Sequence, residues 1–273
     1  MAGFSVWDEN LPEQMDGLIT AGEAPPVIVV MPDCFTRLGG SQYLNSTATG
    51  PYADYLTVEI IPFIDGQLKT LPTGDHRGVL GKSSGGYGAL TLAMKHPELF
   101  CAAASHSGDM YFTYGYLQDF PAAVNALNEA GGVTPFLEQF SSARDKGPLI
   151  PALNIIAMAA AYSPDGTKIE LPFELPSGRI REAVWERWLA HDPIRMLEDQ
   201  AHAAALGSLT LLWLDAGTRD EYGLHLGARI FVERLVALGI AHHYEEHDGG
   251  HRGINHRYRE SLQAVAGALA HSH

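Results

Sequence analysis

The strongest constraint on this chain is an alternation of short apolar runs with longer segments of helical period. Residues 27–31, bounded by Pro26 and Pro32, are apolar and largely β-branched, with no polar alternation. That is the pattern of a parallel strand covered on both faces. Residues 209–214 repeat it, residues 78–80 and 101–104 are shorter versions, and residues 241–246 read as a later, more exposed strand. Helical patterns fill the gaps at 53–68, kinked by Pro62, at 86–95, stopped ahead of Pro97, at 224–238 and at 258–269. Strands that alternate with helices in this way specify an α/β fold, a mostly parallel sheet with helices on both faces.

The rhythm breaks between about residues 110 and 198, where eight prolines separate helical pieces: Pro121, Pro135, Pro148, Pro151, Pro164, Pro172, Pro176 and Pro193. We read residues 1–273 as one domain, with 110–198 inserted as a cap over one end of the sheet. Within it, residues 149–162 are almost wholly apolar, which fits either a buried helix or the wall of an acyl pocket.

Composition narrows the function classes. Eighteen Lys and Arg against 32 Asp and Glu give a net charge of −14, the opposite of what a phosphate-backbone binder needs, so nucleic acid is not an expected partner. No run approaches the roughly 18 apolar residues of a membrane span, and the first ten residues lack a basic segment followed by an apolar one, so a cytoplasmic location is expected. Cys34 and Cys101 are too few for a disulfide framework and lack metal-site spacing, and read as buried thiols.

Gly81-Lys82-Ser83-Ser84-Gly85 fits G-x-S-x-G, in which the central serine sits on a sharp strand-to-helix turn with its hydroxyl exposed above the sheet. Val79 and Leu80 before it and a small-residue helix start after it supply that context. Ser83 is the candidate nucleophile. A serine hydroxyl needs a base to take its proton and a carboxylate to orient the base, in the chain order Ser, acid, His. Three carboxylates follow the strand at 209–214. Asp215 stands at its end, where it can cap or pair with Arg219; Asp220 and Glu221 lie in the next loop, and Asp220 is best placed to reach a histidine.

His251, in a glycine-containing loop after the strand at 241–246, lies at the end of the sheet where open α/β folds place ligands. His247 and His251 are four apart, but Gly249 and Gly250 argue against a helix, and no third ligand matches, so no metal is expected. The tetrahedral intermediate of such chemistry needs preorganised N–H donors. The N–H of Ser84 is one candidate, and the N–H of Phe4, in Ala2-Gly3-Phe4-Ser5, is the other.

Taken in order, Val30-Met31-Pro32-Asp33, Gly81-Lys82-Ser83-Ser84-Gly85-Gly86, the run from Asp215 to Glu221, and Gly249-Gly250-His251 resemble the esterases of the α/β-hydrolase superfamily that include esterase D, S-formylglutathione hydrolases, feruloyl and siderophore esterases and mycolyltransferases. The resemblance covers most of the chain. It implies Ser83 as nucleophile, Asp220 as acid and His251 as base, a carboxylic ester or thioester as substrate, and no cofactor. It also implies strands ahead of the loop that supplies the second oxyanion donor; Met1 falls at that loop, so N-terminal strands of the family sheet are expected to be missing, or supplied by another chain, which leaves homo-oligomerisation open. An S-formylglutathione hydrolase, an acyltransferase, and a non-catalytic remnant or binding domain are the competing readings.

Overall fold

In a computed structural model, residues 10–166 and 168–271 are described. The centre is a four-stranded parallel sheet in which β1 (Gly78–Lys82), β2 (Ala102–His106), β3 (Leu211–Gly217) and β4 (His243–His247) lie side by side in chain order. The register aligns Gly78 with Ala102, Ala102 with Leu211 and Trp213 with His243. This is the α/β-hydrolase type of architecture. Each strand that the sequence pattern predicts from residue 78 onward is present, with ends that differ by at most three residues.

Flanking helices explain why these strands lack polar alternation. α1 (Leu11–Thr20) and the C-terminal α8 (Arg257–His271) cover one face, while α2 (Ser84–Lys95) and α7 (Leu224–Leu238) cover the other. Side chains of successive strand residues point to opposite faces. Ala102 and Ala104 therefore pack with Val265 of α8, and Ala103 packs with Leu90 of α2 and Phe231 of α7. Along β3, Leu211 and Trp213 face α8, while Leu212, Leu214 and Ala216 face α2 and α7. Alanines in β2 let helices approach closely on both sides.

The apolar run at 27–31 departs from expectation. It forms no strand, and Ile28, Val29, Val30 and Met31 are between 37% and 48% exposed. Among the described residues β1 forms a ladder only with β2, and the run does not add to the other side of this edge strand; β-branched composition without a ladder partner does not make a strand. The segment expected to be a kinked helix at 53–68 is a turn of α-helix (Tyr52–Asp54), a π-helical stretch (Tyr55–Ile60) and a further α-helical segment (Ile61–Gln67). Pro62 has no N–H to donate back to Val58, and the preceding backbone widens to accommodate that loss.

Between β2 and β3 the chain builds a helical layer with its own core: α3 (Phe120–Ala130), α4 (Val133–Ser142), α5 (Ile150–Tyr162) and α6 (Glu182–Leu189). Phe120, Leu127, Phe136, Ile155, Tyr162 and Trp188 are buried together there, and Tyr87 of α2 joins the same cluster. α5 is apolar on every side and buried from Ile155 to Tyr162, as a helix without a polar face must be. Among the described residues, no helix is long and apolar enough to cross a membrane.

Candidate active site

Ser83 closes β1 and caps α2 with φ 57° and ψ −123°, a conformation that a non-glycine residue adopts only under constraint. The constraint is visible in its neighbours. The Ser83 N–H donates to the His106 carbonyl at 2.9 Å, tying the turn to β2, and the Tyr87 N–H returns to the Ser83 carbonyl at 3.0 Å. A side chain on Gly81 would stand 2.5 Å from the Gly85 backbone, and one on Gly86 would stand 2.7 Å from Ser105 Oγ. Both glycines are required by close approach, and the turn lifts the Ser83 hydroxyl off the sheet.

Two loops from the same end of the sheet converge on it. His251 Nε2 is 3.0 Å from Ser83 Oγ, and His251 Nδ1 is 2.8 Å from Asp220 Oδ2. Asp220 and His251 are buried, at 5% and 8% exposure, while Ser83 is part-exposed. Burial alone would raise the Asp220 carboxyl, but the hydrogen bond and charge of His251, with the N–H groups of Tyr222 and Leu224, outweigh it and hold the carboxyl below its ordinary value. An ionised Asp220 accepts the Nδ1 proton, which leaves Nε2 as the acceptor for the Ser83 hydroxyl.

Glu221, weighed from sequence as an alternative acid, has a different place. Its Oε2 accepts the His251 backbone N–H at 2.7 Å, which holds its carboxyl below the usual value and pins the histidine loop. The Tyr222 ring meets the His251 ring edge-on, 4.9 Å between centroids. Neither contact is legible in local sequence, since each joins residues about thirty positions apart.

Asp215 does not pair with Arg219, which instead reaches Asp248 at the surface. Asp215 Oδ2 lies 2.8 Å from His106 Nδ1 and 3.4 Å from Arg257 Nε, and His106 Nε2 lies 2.8 Å from Ser261 Oγ. The sheet register sets His106 of β2 beside Asp215 of β3, and α8 closes over both. The result is a second Ser-His-Asp chain in which all three side chains are at most 1% exposed.

The Ser84 N–H opens α2, where the first amides of a helix have no partner within it, so it is available to a ligand oxygen beside Ser83. Phe4 lies outside the described residues. Among those residues, no group of three or more His, Cys, Asp or Glu is placed to hold a metal ion. One charged group near the site has no signature in local sequence. Asp109, in the loop after β2, accepts the Tyr116 hydroxyl at 3.1 Å; burial raises its carboxyl, against the lowering effect of that bond and of His251. Its position past the C-terminal end of a strand was the available clue.

A family model described as Putative esterase matches residues 1–268. Two curated Mycobacterium tuberculosis relatives, Esterase MT1326 (strain CDC 1551 / Oshkosh) and Esterase Rv1288 (strain ATCC 25618 / H37Rv), are each 27% identical over 260 residues. The alignment covers 92% of this chain and 47% of theirs. The chain thus spans about half the length of the curated relatives it matches. Among solved structures, a ferulic acid esterase aligns with TM-score 0.62 at 20% identity, over 97% of this chain and 80% of that one. An S-formylglutathione hydrolase from Agrobacterium tumefaciens aligns with TM-score 0.55 at 18% identity, over 96% and 79%. M. tuberculosis MPT51 aligns with TM-score 0.55 at 19% identity, over 96% and 83%. At these identities the solved structures speak for the fold, and the family model speaks for the lineage. The chain belongs to the Putative esterase family.

Proposed function

We propose that this chain is a serine esterase that cleaves small carboxylic esters or thioesters through an acyl-enzyme on Ser83. The observation that carries the reading is the continuous chain Ser83 Oγ, His251 Nε2, His251 Nδ1, Asp220 Oδ2, with links of 3.0 and 2.8 Å. Family membership supports ester hydrolysis as the reaction type. In this mechanism Ser83 Oγ attacks the carbonyl carbon while its proton passes to His251 Nε2, and Asp220 stabilises the imidazolium. The negative oxygen of the tetrahedral intermediate is met by the Ser84 N–H, with Phe4 as the expected second donor. Collapse breaks the bond to the alkoxide or thiolate, which leaves with the proton from His251. Water then repeats the sequence on the acyl-enzyme and releases the acid. Every proton is carried by His251, so the reaction requires no cofactor. In this reading the helical layer within 110–198 serves as one wall of the substrate site, which is supported by the influence of the His251 charge on Asp109, the hydrogen-bond partner of Tyr116.

A fluorophosphonate probe tests the nucleophile. Labelling of the wild type that disappears in Ser83→Ala is expected, and a folded wild type that never labels would show that the chain is a binding domain rather than an enzyme. Hydrolysis of p-nitrophenyl esters from acetate to decanoate then sizes the acyl site.

A further inference from the structure

The apolar run at 27–31 has no role in the sheet or in the candidate site. Ile28, Val29, Val30 and Met31 are between 37% and 48% exposed. Four large apolar side chains in succession at the surface mark a contact site. Val27, ahead of them, packs on the cluster between α1 and α8, and Cys34, after them, is buried with Leu56 and Phe100. The run is thus anchored at both ends and presented between them.

Its backbone is equally unpartnered. No backbone N–H or C=O from 25 to 33 has a hydrogen-bond partner among the described residues. Pro32 disfavours helical backbone at Met31, and the β-branched residues before it favour an extended chain. Exposed strand edges are ordinarily guarded by a charged side chain, yet none stands between Glu23 and Asp33. The run has the makings of a strand, and what it lacks is a strand to pair with.

The order of its residues points to the partner. Residues 26–32, Pro-Val-Ile-Val-Val-Met-Pro, form a near-palindrome about Val29. Laid antiparallel against a second copy with Val29 opposite Val29, Ile28 falls opposite Val30, Val27 opposite Met31 and Pro26 opposite Pro32. Directly opposed residues in such a ladder alternate between hydrogen-bonded and non-hydrogen-bonded pairs. Proline has no N–H to give, so the proline pair takes a non-hydrogen-bonded position. Counting inward, the pair of Val27 with Met31 and the pair of the two Val29 residues are then the hydrogen-bonded ones, and the prolines close the ladder at both ends. Beyond them Pro25 falls opposite Asp33 and Glu23 opposite Phe35, so no two carboxylates are opposed. That matters in a chain of net charge −14, where like charges facing each other would be destabilising. Such symmetry serves a surface that meets itself across a two-fold axis, and a strand from another protein has no need of it.

We propose that this chain forms a two-fold dimer in which residues 27–31 of the two copies pair as antiparallel strands about Val29. The ladder supplies partners to peptide groups that otherwise have none, and cross-strand neighbours shield the exposed apolar side chains from water. The inference is independent of which serine is the nucleophile.

Sedimentation equilibrium of the whole chain from about 1 to 100 µM tests it, with a dimer expected at the upper end that dissociates on dilution. Val29→Lys sets two like charges opposite each other on the axis, at a residue that a single copy leaves exposed. It should raise the dimer Kd by about a hundredfold with the far-UV circular dichroism unchanged. Val29→Cys should be joined to its counterpart by a short bis-maleimide, since the native thiols Cys34 and Cys101 are buried. Val58→Cys, at a residue 65% exposed on another segment, should not be joined. A chain that stays monomeric at the highest concentration, a dimer that Val29→Lys leaves intact, or equal cross-linking of the two cysteine variants would each overturn the inference. The first of these is also the outcome expected if another polypeptide covers the run.

Discussion

The molecule holds two Ser-His-Asp chains built to nearly the same distances. In one, His251 joins Ser83 and Asp220 across 3.0 and 2.8 Å; in the other, His106 joins Ser261 and Asp215 across 2.8 and 2.8 Å. Residue types and hydrogen-bond lengths therefore cannot be what makes a serine reactive here. The differences lie in the backbone and in access. Ser83 sits on a turn with positive φ beside the unpaired first amide of α2, whereas Ser261 is inside α8 and its hydroxyl is also within reach of the Tyr258 carbonyl at 3.2 Å. Asp215 also pairs with Arg257, which goes on to Glu245 and Glu260, whereas among the described residues no arginine or lysine pairs with Asp220. The buried set is a clamp between β2, β3, β4 and α8, and the accessible set is the proposed reaction centre.

The comparison can be broken most directly at the serines. Ser83→Ala should lower kcat on a p-nitrophenyl ester by roughly 10⁵-fold or more, while Ser261→Ala should leave fluorophosphonate labelling of Ser83 in place. Equal losses in the two variants would mean that the buried chain takes part in chemistry. Next in size is the acid. Asp220→Asn should lower kcat by about 10⁴-fold through loss of the correct histidine tautomer, with the thermal midpoint little changed if its role is in the reaction.

The same exchange at the buried carboxylate should reverse the pattern. Asp215→Asn takes the carboxylate from His106 and one of three from Arg257, and should cost about 3 kcal/mol of stability by urea unfolding, with the surviving folded fraction still labelled at Ser83. Acidification sharpens the point. Burial opposes ionisation of both carboxyls, but their histidine partners hold them below the ordinary carboxylate value. A depressed folded-state value contributes stability that is present above the unfolded value, near 4, and is lost as pH falls through the folded one. The wild type should therefore lose stability below about pH 4, and Asp215→Asn should lose less over that range. The smallest effect expected is for Ser261→Ala in unfolding, about 1 kcal/mol for one buried hydrogen bond.

Much of this was legible in the residues. The strands from 78 onward, the helices at Ser84–Lys95 and Leu224–Leu238, and the convergence of Ser83, Asp220 and His251 follow from apolar period and from where loops leave a parallel sheet. Misreadings came where a local pattern depended on a distant partner. Residues 27–31 have strand composition but pair with no strand, and Asp215 has Arg219 close in sequence but His106 beside it across the sheet. The burial of Gln42 has no local signature at all, because it arises from a left-handed turn and from Tyr116 and Tyr162, far along the chain, which accept from its amide.

By itself the sequence determined the α/β class, the order of the sheet-forming runs after residue 78 and the turn that carries Ser83. These depend on short-range sterics, on glycine at close approaches and on the two periodicities of apolar residues. Only the tertiary structure decided which of two Ser-His-Asp chains faces solvent and which carboxylate each histidine meets. Those outcomes are set by sheet register, loop placement and helix docking, which bring together residues 31 to 168 positions apart that no local pattern connects.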